Sequence, residues 1–255
     1  MWAWGFNGSG QLGLSDTTDR SSPVQVGTSS WTSISAGQGC TAAIRTDGGL
    51  FTWGLNSSGQ LGDNSVVSRS SPVQISGGGS WSQIVSGYDG TNNGYSIGIK
   101  SDGTLYTWGD NTTGQLGLSN ALPQPTLLPV GSSSWSQVSA GVDHTIGLLT
   151  NNTIYTWGNN SVGQLGQSDI VQRSSPTQVG SLSWTQVSAN ASTTAALRSD
   201  GGIFTWGNNS TGQLAPGTTG DTLNRSSPVQ IGTSSWTSIN AGATFMYATP
   251  IAPAY

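Results

Sequence analysis

Ile154-Tyr155-Thr156-Trp157-Gly158-Asn159, followed after three residues by Gly163-Gln164-Leu165, is the stretch whose reading decides the fold. Trp-Gly returns at Trp4, Trp53, Trp108, Trp157 and Trp206, spaced by 49, 55, 49 and 49 residues. Each pair leads into the same Gly-Gln-Leu turn, centred on Gln11, Gln60, Gln115, Gln164 and Gln213. An Arg-Ser-Ser-Pro element follows, ending at Pro23, Pro72, Pro176 and Pro228, and the third copy departs from it with Gln124 and Leu127. A second tryptophan then opens the next apolar segment, at Trp31, Trp81, Trp135, Trp184 and Trp236. Self-similarity with a period near 50 residues is the signature of a repeat architecture.

Within one copy the pattern is that of short strands. Pro23-Val24-Gln25-Val26 and Thr32-Ser33-Ile34-Ser35-Ala36 alternate with the period of a half-buried strand. Thr41–Arg45 and Leu50–Trp53 flank Asp47-Gly48, which predicts a type I′ hairpin. Asp102-Gly103 and Asp200-Gly201 repeat the signal, with Asn151-Asn152 as a substitute. Four strands in about 50 residues is the arithmetic of a propeller blade. The sequence starts at the last strand of a copy (Trp2–Gly5) and stops after the penultimate one (Phe245–Ala248). Open strand edges invite aggregation. The expectation is therefore an all-β, five-bladed propeller of four-stranded antiparallel blades. Residues 1–255 form one domain, and the ring closes by pairing the N- and C-terminal strands. The competing reading is a piece of a longer array.

Composition narrows the function. Only 7% of the 255 residues are charged, and the net charge is −4. The 11 acids are all Asp, and Lys100 is the single lysine. The scattered basic residues make no patch to neutralise phosphates, which argues against nucleic acid as a partner. No apolar run reaches bilayer-spanning length, so no membrane insertion is expected. Met1–Gly5 shows no signal peptide, and the lone Cys40 excludes an internal disulfide framework. One His, one Cys and no acid-rich cluster speak against a metal site, and no cofactor-binding motif is present.

The pattern resembles the regulator-of-chromosome-condensation repeat. Ala140-Gly141-Val142-Asp143-His144-Thr145, Trp157-Gly158-Asn159 and Gly163-Gln164-Leu165 carry it most fully. The resemblance covers essentially the whole chain and implies a propeller, although the members the notion rests on resemble seven-bladed forms. Their roles are unlike one another, so no single activity is implied. The short copies rich in Ser, Thr and Asn look most similar to versions from bacteriophages and bacteria. That points to a non-enzymatic virion surface protein, tail- or capsid-associated, contacting a protein partner or a host glycan. Its location would be the virion, assembled in host cytoplasm, or the extracellular space, with homo-oligomerisation possible. A soluble inhibitory propeller is the alternative, and a hydrolase using the central channel is third.

Residue roles divide accordingly. Trp4, Trp53, Trp108, Trp157 and Trp206 are read as core, because a large ring locked to the repeat anchors packing. Gln11, Gln60, Gln115, Gln164 and Gln213 are read as satisfying backbone groups between blades. Trp31, Trp81, Trp135, Trp184 and Trp236 are candidates for an aromatic binding rim at a blade end, although structural packing is the blander reading. Arg20, Arg69, Arg173 and Arg225 are read as forks holding loop carbonyls. No catalytic residue is assigned, since Asp143 and the single His144 are adjacent and point to opposite faces of a strand. The second copy carries an added loop, Tyr88-Asp89-Gly90-Thr91-Asn92-Asn93-Gly94-Tyr95. Tyr88, Asp89, Asn92, Asn93 and Tyr95 have the Tyr/Asn character of adaptable binding loops.

Overall fold

In a computed structural model, residues 1–37, 39–76, 78–88, 93–215, 217 and 220–250 are described. They form twenty strands in antiparallel ladders. The chain divides into two compact units, Met1–Thr112 with Leu122–Ser134, and Thr113–Ala121 with Trp135–Tyr255.

The first unit holds a two-stranded sheet, β1 (Trp2–Gly5) with β2 (Arg20–Gln25), and two complete blades. Those blades are β3 (Trp31–Ala36), β4 (Cys40–Arg45), β5 (Leu50–Gly54) and β6 (Arg69–Gln74), then β7 (Trp81–Tyr88), β8 (Gly94–Lys100), β9 (Leu105–Gly109) and β10 (Gln124–Pro129). The second unit holds β11 (Trp135–Ala140), β12 (His144–Leu149), β13 (Ile154–Gly158) and β14 (Arg173–Gln178) as one blade. Its next blade is β15 (Trp184–Asn190), β16 (Thr193–Arg198), β17 (Ile203–Gly207) and β18 (Arg225–Ile231), followed by the pair β19 (Trp236–Ala241) and β20 (Met246–Pro250).

Five repeats therefore give four complete blades and two half-blades. The expected closure of the ring is not observed. Among the described residues β1 is laddered to β2 alone and β20 to β19 alone. The strand arithmetic was sound, but the expectation rested on the cost of open edges. That cost does not choose the partner that covers them.

Residue type explains each strand's place. The second strands β8 and β12 are buried throughout, on both faces, which suits a run such as Tyr95-Ser96-Ile97-Gly98-Ile99 better than alternation. The first strand β11 alternates more, and the fourth strands are half-exposed. The hairpins differ in detail from expectation. Gly48 has φ +84° while Asp47 is not left-handed, and Gly48 N–H donates to Arg45 O at 2.8 Å. That is a type I turn ending in a glycine bulge, not a type I′ turn. Asn152, φ +67°, fills the same place in the third blade, where Asn tolerates the left-handed region.

Blades are joined by a repeated hook. In the first unit Trp53 Nε1 and Thr41 Oγ1 both donate to Gln11 O at 2.9 Å, and Trp108 Nε1 donates to Gln60 O at 2.9 Å. In the second unit Trp157 Nε1 reaches Gln115 O at 2.8 Å and Trp206 Nε1 reaches Gln164 O at 2.9 Å. The first strands add a second hook, for example Val187 N–H to Gln137 Oε1 and Ala189 N–H to Ser139 Oγ, each at 2.9 Å. The apolar core fills between them, as where Trp206 packs with Ile154, Val179, Trp184, Val187 and Ala196.

Candidate functional site

The repeat positions are largely consumed by packing. Trp53, Trp108, Trp157 and Trp206 are buried, whereas Trp4 is exposed. The glutamines act in two ways. Their main-chain carbonyls take the indole N–H of the next blade, as above. Their side chains close their own turns, with Gln60 Oε1 accepting from Ser58 N–H at 2.8 Å and Gln115 Oε1 from Thr113 N–H at 2.9 Å. The sequence reading had these glutamines meeting hydrogen-bonding needs between blades, and their main-chain carbonyls take part in that.

Trp81, Trp135 and Trp184 do not form an open rim, because their rings lie buried inside the blades. Beside Trp81 and Trp135 the facing strand carries a glycine, and beside Trp184 the small Ala196 stands at the same place. A Cβ at Gly147 would stand 2.4 Å from the Trp135 ring, and one at Gly98 would stand 2.6 Å from Trp81. The indole occupies the room a side chain would need. Each ring then meets its neighbours nearly edge-on, Trp135 with Tyr155 and Trp157, and Trp184 with Phe204. Trp31, in the blade after β1–β2, and Trp236, which opens the half-blade β19–β20, are partly exposed.

The added loop of the second copy is placed in part. Tyr88 ends β7, while Asp89 and Asn92 lie outside the described residues. Asn93 is half-buried and its Oδ1 accepts from Ser58 Oγ at 3.0 Å. Tyr95 is buried in β8, paired with Gly109. His144 is fully buried, and Nε2 lies 2.8 Å from Thr194 Oγ1. Thr194 spends its own hydroxyl proton on Gln164 O at 2.8 Å, so His144 must be the donor through Nε2–H. Burial pushes its pKa down to about 3, which keeps the ring neutral. It is a member of a structural chain, not a proton shuttle open to solvent.

A feature the sequence reading passed over lies between the third and fourth strand of each copy. An asparagine two residues after Trp-Gly is buried and braces the loop from below. Asn160 Oδ1 accepts from Leu165 N–H at 2.9 Å, and its Nδ2 donates to Asp169 O at 3.0 Å and Val171 O at 3.1 Å. Asn56 donates likewise to Ser65 O and Val67 O, and Asn209 to Asp221 O. The repeat arginine braces the same loop from the side. Arg173 binds Val171 O at 2.5 Å and Asp169 at 2.6 Å, and Arg225 binds Leu223 O at 2.7 Å together with Asp221. Arg20, Arg173 and Arg225 hold loop carbonyls as predicted, Arg69 bonds the Ser65 hydroxyl instead, and all four are joined to an aspartate.

The loops so braced present aliphatic side chains to solvent. Val66, Val67, Leu122, Ile170, Val171 and Leu223 are 57–70% exposed. Their positions correspond from blade to blade, although the residue varies, and the first copy has Thr17 and Thr18 there. A signal was available in the sequence, as an aliphatic residue two or three before Arg69, Gln124, Arg173 and Arg225 in a segment otherwise polar. Single exposed aliphatics are commonplace. Holding one at the same rigid tip in successive blades is not.

Comparison with known proteins agrees with this architecture. The model of the RCC1-like domain matches residues 1–248. The chain belongs to the RCC1-like domain family. This RCC1-like chain is 33% identical over 151 residues to the ultraviolet-B receptor UVR8 of Arabidopsis thaliana, a match covering 56% of the chain and 33% of the receptor. It thus aligns with about a third of that relative's length. Among solved structures it is similar to human WBSCR16, with 22% identity, a TM-score of 0.82, and coverage of 98% of this chain and 71% of that one. It is also similar to yeast RCC1 (Prp20), solved bound to Kap60, with 18% identity, a TM-score of 0.80, and coverage of 99% and 63%. At these identities the structures speak for the fold.

Proposed function

We propose that the chain is a non-enzymatic interaction module that binds a protein partner through the aliphatic tips of its third-to-fourth-strand loops. The observation that carries this reading is the bracing of those tips by buried asparagine and arginine while their side chains stay exposed. Pre-ordered apolar groups bind with little loss of conformational entropy. The tips carry no aromatic ring on which a sugar could stack, which favours a protein over a glycan. Yeast RCC1, a structural neighbour, was solved with a protein bound to it, which accords with the same use of the fold.

The setting we propose is the surface of a phage virion. The charge-poor composition, rich in Gly and hydroxyl residues, suits a protein that works outside a cell. The test is a chain with Val66, Leu122, Ile170 and Leu223 all changed to Ser, compared with wild type for co-sedimentation with virions of the encoding phage. Wild type should pellet with the particles and the variant should lose at least about tenfold in affinity at unchanged folding. Equal binding by the two would remove the loop tips from the function. A tight one-to-one complex with a soluble enzyme, and no virion binding, would make the chain an inhibitory propeller instead.

A further inference from the structure

The residue two after the leucine of the Gly-Gln-Leu turn packs beside the fourth strand of its blade. In the fourth copy it is Gln167, whose Nε2 donates to Thr156 Oγ1 at 3.3 Å and to the carbonyls of Thr177 and Gln178 at 3.2 Å. Leu14 and Leu118 hold the place in the first and third copies. The second copy has Asp63 there, and the residue two further on has changed with it. Arg20, Arg173 and Arg225 each pair with an aspartate four residues before them, Asp16, Asp169 and Asp221. In the second copy Ser65 stands four before Arg69, and Asp63 takes the arginine instead. Asp63 Oδ1 also accepts from Asn56 Nδ2 at 3.0 Å and from the Ser65 hydroxyl at 2.7 Å. Its carboxylate is thereby held to the loop, and the room that Gln167 fills in the fourth copy is left open.

A cavity of about 500 Å³ occupies that room, within the roughly 300–1,000 Å³ of small-molecule sites. Val73 and Gln74, at the places of Thr177 and Gln178, form one side of it, and Tyr106 and Leu127 of the next blade form the other. All of these residues belong to the first unit.

Two closures made elsewhere in the repeat are missing at the same spot. Ser15, Ser119 and Ser168 each share a hydrogen bond of 3.0 Å with a serine of the following fourth strand, Ser71, Ser175 and Ser227. Asn64 and Thr126 hold those places in the second copy, and among the described residues no bond joins their side chains. Gln25, Gln178 and Gln230 cap their strands by giving Nε2–H to the carbonyl of a left-handed glycine two residues on. Ser76 replaces that glycine after Gln74, and among the described residues the Gln74 amide has no such bond. A third polar group differs in the next blade. Tyr155 gives its hydroxyl to Gln178 at 3.2 Å, but the residue opposite Tyr106 is Pro129.

The amides of Asn64 and Gln74 and the hydroxyls of Thr126 and Tyr106 therefore border the open space without the bonds their counterparts make. The two charged side chains lining it, Asp63 and Arg69, neutralise each other at 2.7 Å. A charged ligand would lose its water there without gaining a free counter-charge. Amides and hydroxyls both donate and accept, which suits a ligand made of hydroxyl groups. The Tyr106 ring is fixed in place, with Lys100 Nζ 4.3 Å from its centroid and Trp81 meeting it edge-on at 5.7 Å. An aromatic ring and aliphatic walls beside a few polar groups match a pyranose, which has a C–H face as well as hydroxyls.

We propose that this cavity is a saccharide-binding site that takes one neutral pyranose residue. It supplies the aromatic ring that the loop tips lack, uses other side chains than theirs, and stands apart from the protein partner proposed above.

The test restores the fourth copy's pattern in the second. Asp63→Gln together with Ser65→Asp returns a groove-filling glutamine and the arginine's usual aspartate, so the cavity should close with the fold intact. The measurement is an NMR titration with the methyl glycosides of glucose, galactose, mannose and N-acetylglucosamine, following the side-chain amide signals of Asn64 and Gln74. Wild type should show saturable shifts with at least one of them, and the double variant should bind none. Gln74→Ala should weaken binding about three- to tenfold, at an unchanged melting temperature because this amide caps nothing. The reducing monosaccharides are titrated alongside. A site that takes the glycosides admits a sugar within a glycan, and one that takes only the reducing forms binds free sugars; either result keeps the inference. No saturable binding of any sugar overturns it, as does unchanged binding by either folded variant. Binding of acetate or phosphate in place of the sugars overturns the neutral assignment.

Discussion

His144 makes a prediction whose size follows from its surroundings. It is the only histidine, it is fully buried, and its pKa is held near 3 against an ordinary value of 6.5. The unfolded chain therefore takes up a proton at this residue below pH 6.5, while the folded chain does not until about pH 3. A folded pKa lowered in this way means stability is full above 6.5 and falls as the pH drops toward 3. Between pH 7 and pH 5 the unfolded histidine gains nearly a full proton, worth about 2 kcal/mol at roughly 1.4 kcal/mol per unit. The aspartates hardly contribute in that window, because their ordinary value is 3.8 and those shifted are lowered. The assay is equilibrium urea unfolding at pH 7 and pH 5 for wild type and His144→Thr, threonine being the residue at this place in the next blade, Thr193. Wild type should lose about 2 kcal/mol on acidification and the variant should lose little, whatever its absolute stability. Equal losses in the two proteins, or no loss in wild type, would refute the placement of a neutral histidine in the core.

Three further outcomes test the packing and the loops. Gly147→Ala would put a methyl 2.4 Å from the Trp135 ring and should destabilise by about 2–3 kcal/mol in thermal or urea melts. Trp157→Phe keeps most of the ring but removes the N–H given to Gln115 O; since Thr145 Oγ1 still donates to that oxygen at 3.0 Å, the cost should be near 1 kcal/mol by urea titration. Val171→Ser changes an exposed tip whose bracing runs through its backbone carbonyl, so stability should move by less than about 0.5 kcal/mol while partner binding falls.

Strands and blades were legible in the sequence because they depend on local period. Trp-Gly at a fixed spacing, alternation in the first strand and Asp-Gly at the hairpin are each properties of a few neighbouring residues. Where legibility ended, the deciding atoms came from elsewhere in the chain. Alternation places Trp135 on the opposite face from Val138. It does not show that Gly147, on the next strand, makes room for the ring and buries it. Gln115 is plainly a polar residue needing a partner, yet whether its amide or its carbonyl crosses to the next blade depends on a turn that folds the amide back onto Thr113. The added Tyr/Asn loop stood out because it broke the pattern. The aliphatic tips kept the pattern and so were easily absorbed into it.

That last contrast bears on where function should be sought in such a chain. A repeat position is conservative in two distinct ways: the side chain can be spent on the fold, or the fold can be spent on presenting the side chain. Asn160 and Val171 are eleven residues apart in one copy and illustrate both, joined by a single hydrogen bond from the amide to the valine carbonyl. The asparagine is wholly buried and its amide is bonded at both ends, so a change there costs stability directly. The valine contributes only backbone groups to the network, its carbonyl and an N–H given to Asp169 Oδ1 at 2.9 Å, leaving its isopropyl group free of structural duty. Burying a polar side chain to fix a loop that then exposes an apolar one runs against both halves of the hydrophobic rule. Stability alone would favour a hydrophilic tip, as Thr17 and Thr18 supply in the first copy. The aliphatic residues of the other loops are therefore the part of the repeat that folding leaves unexplained and that a partner surface would account for.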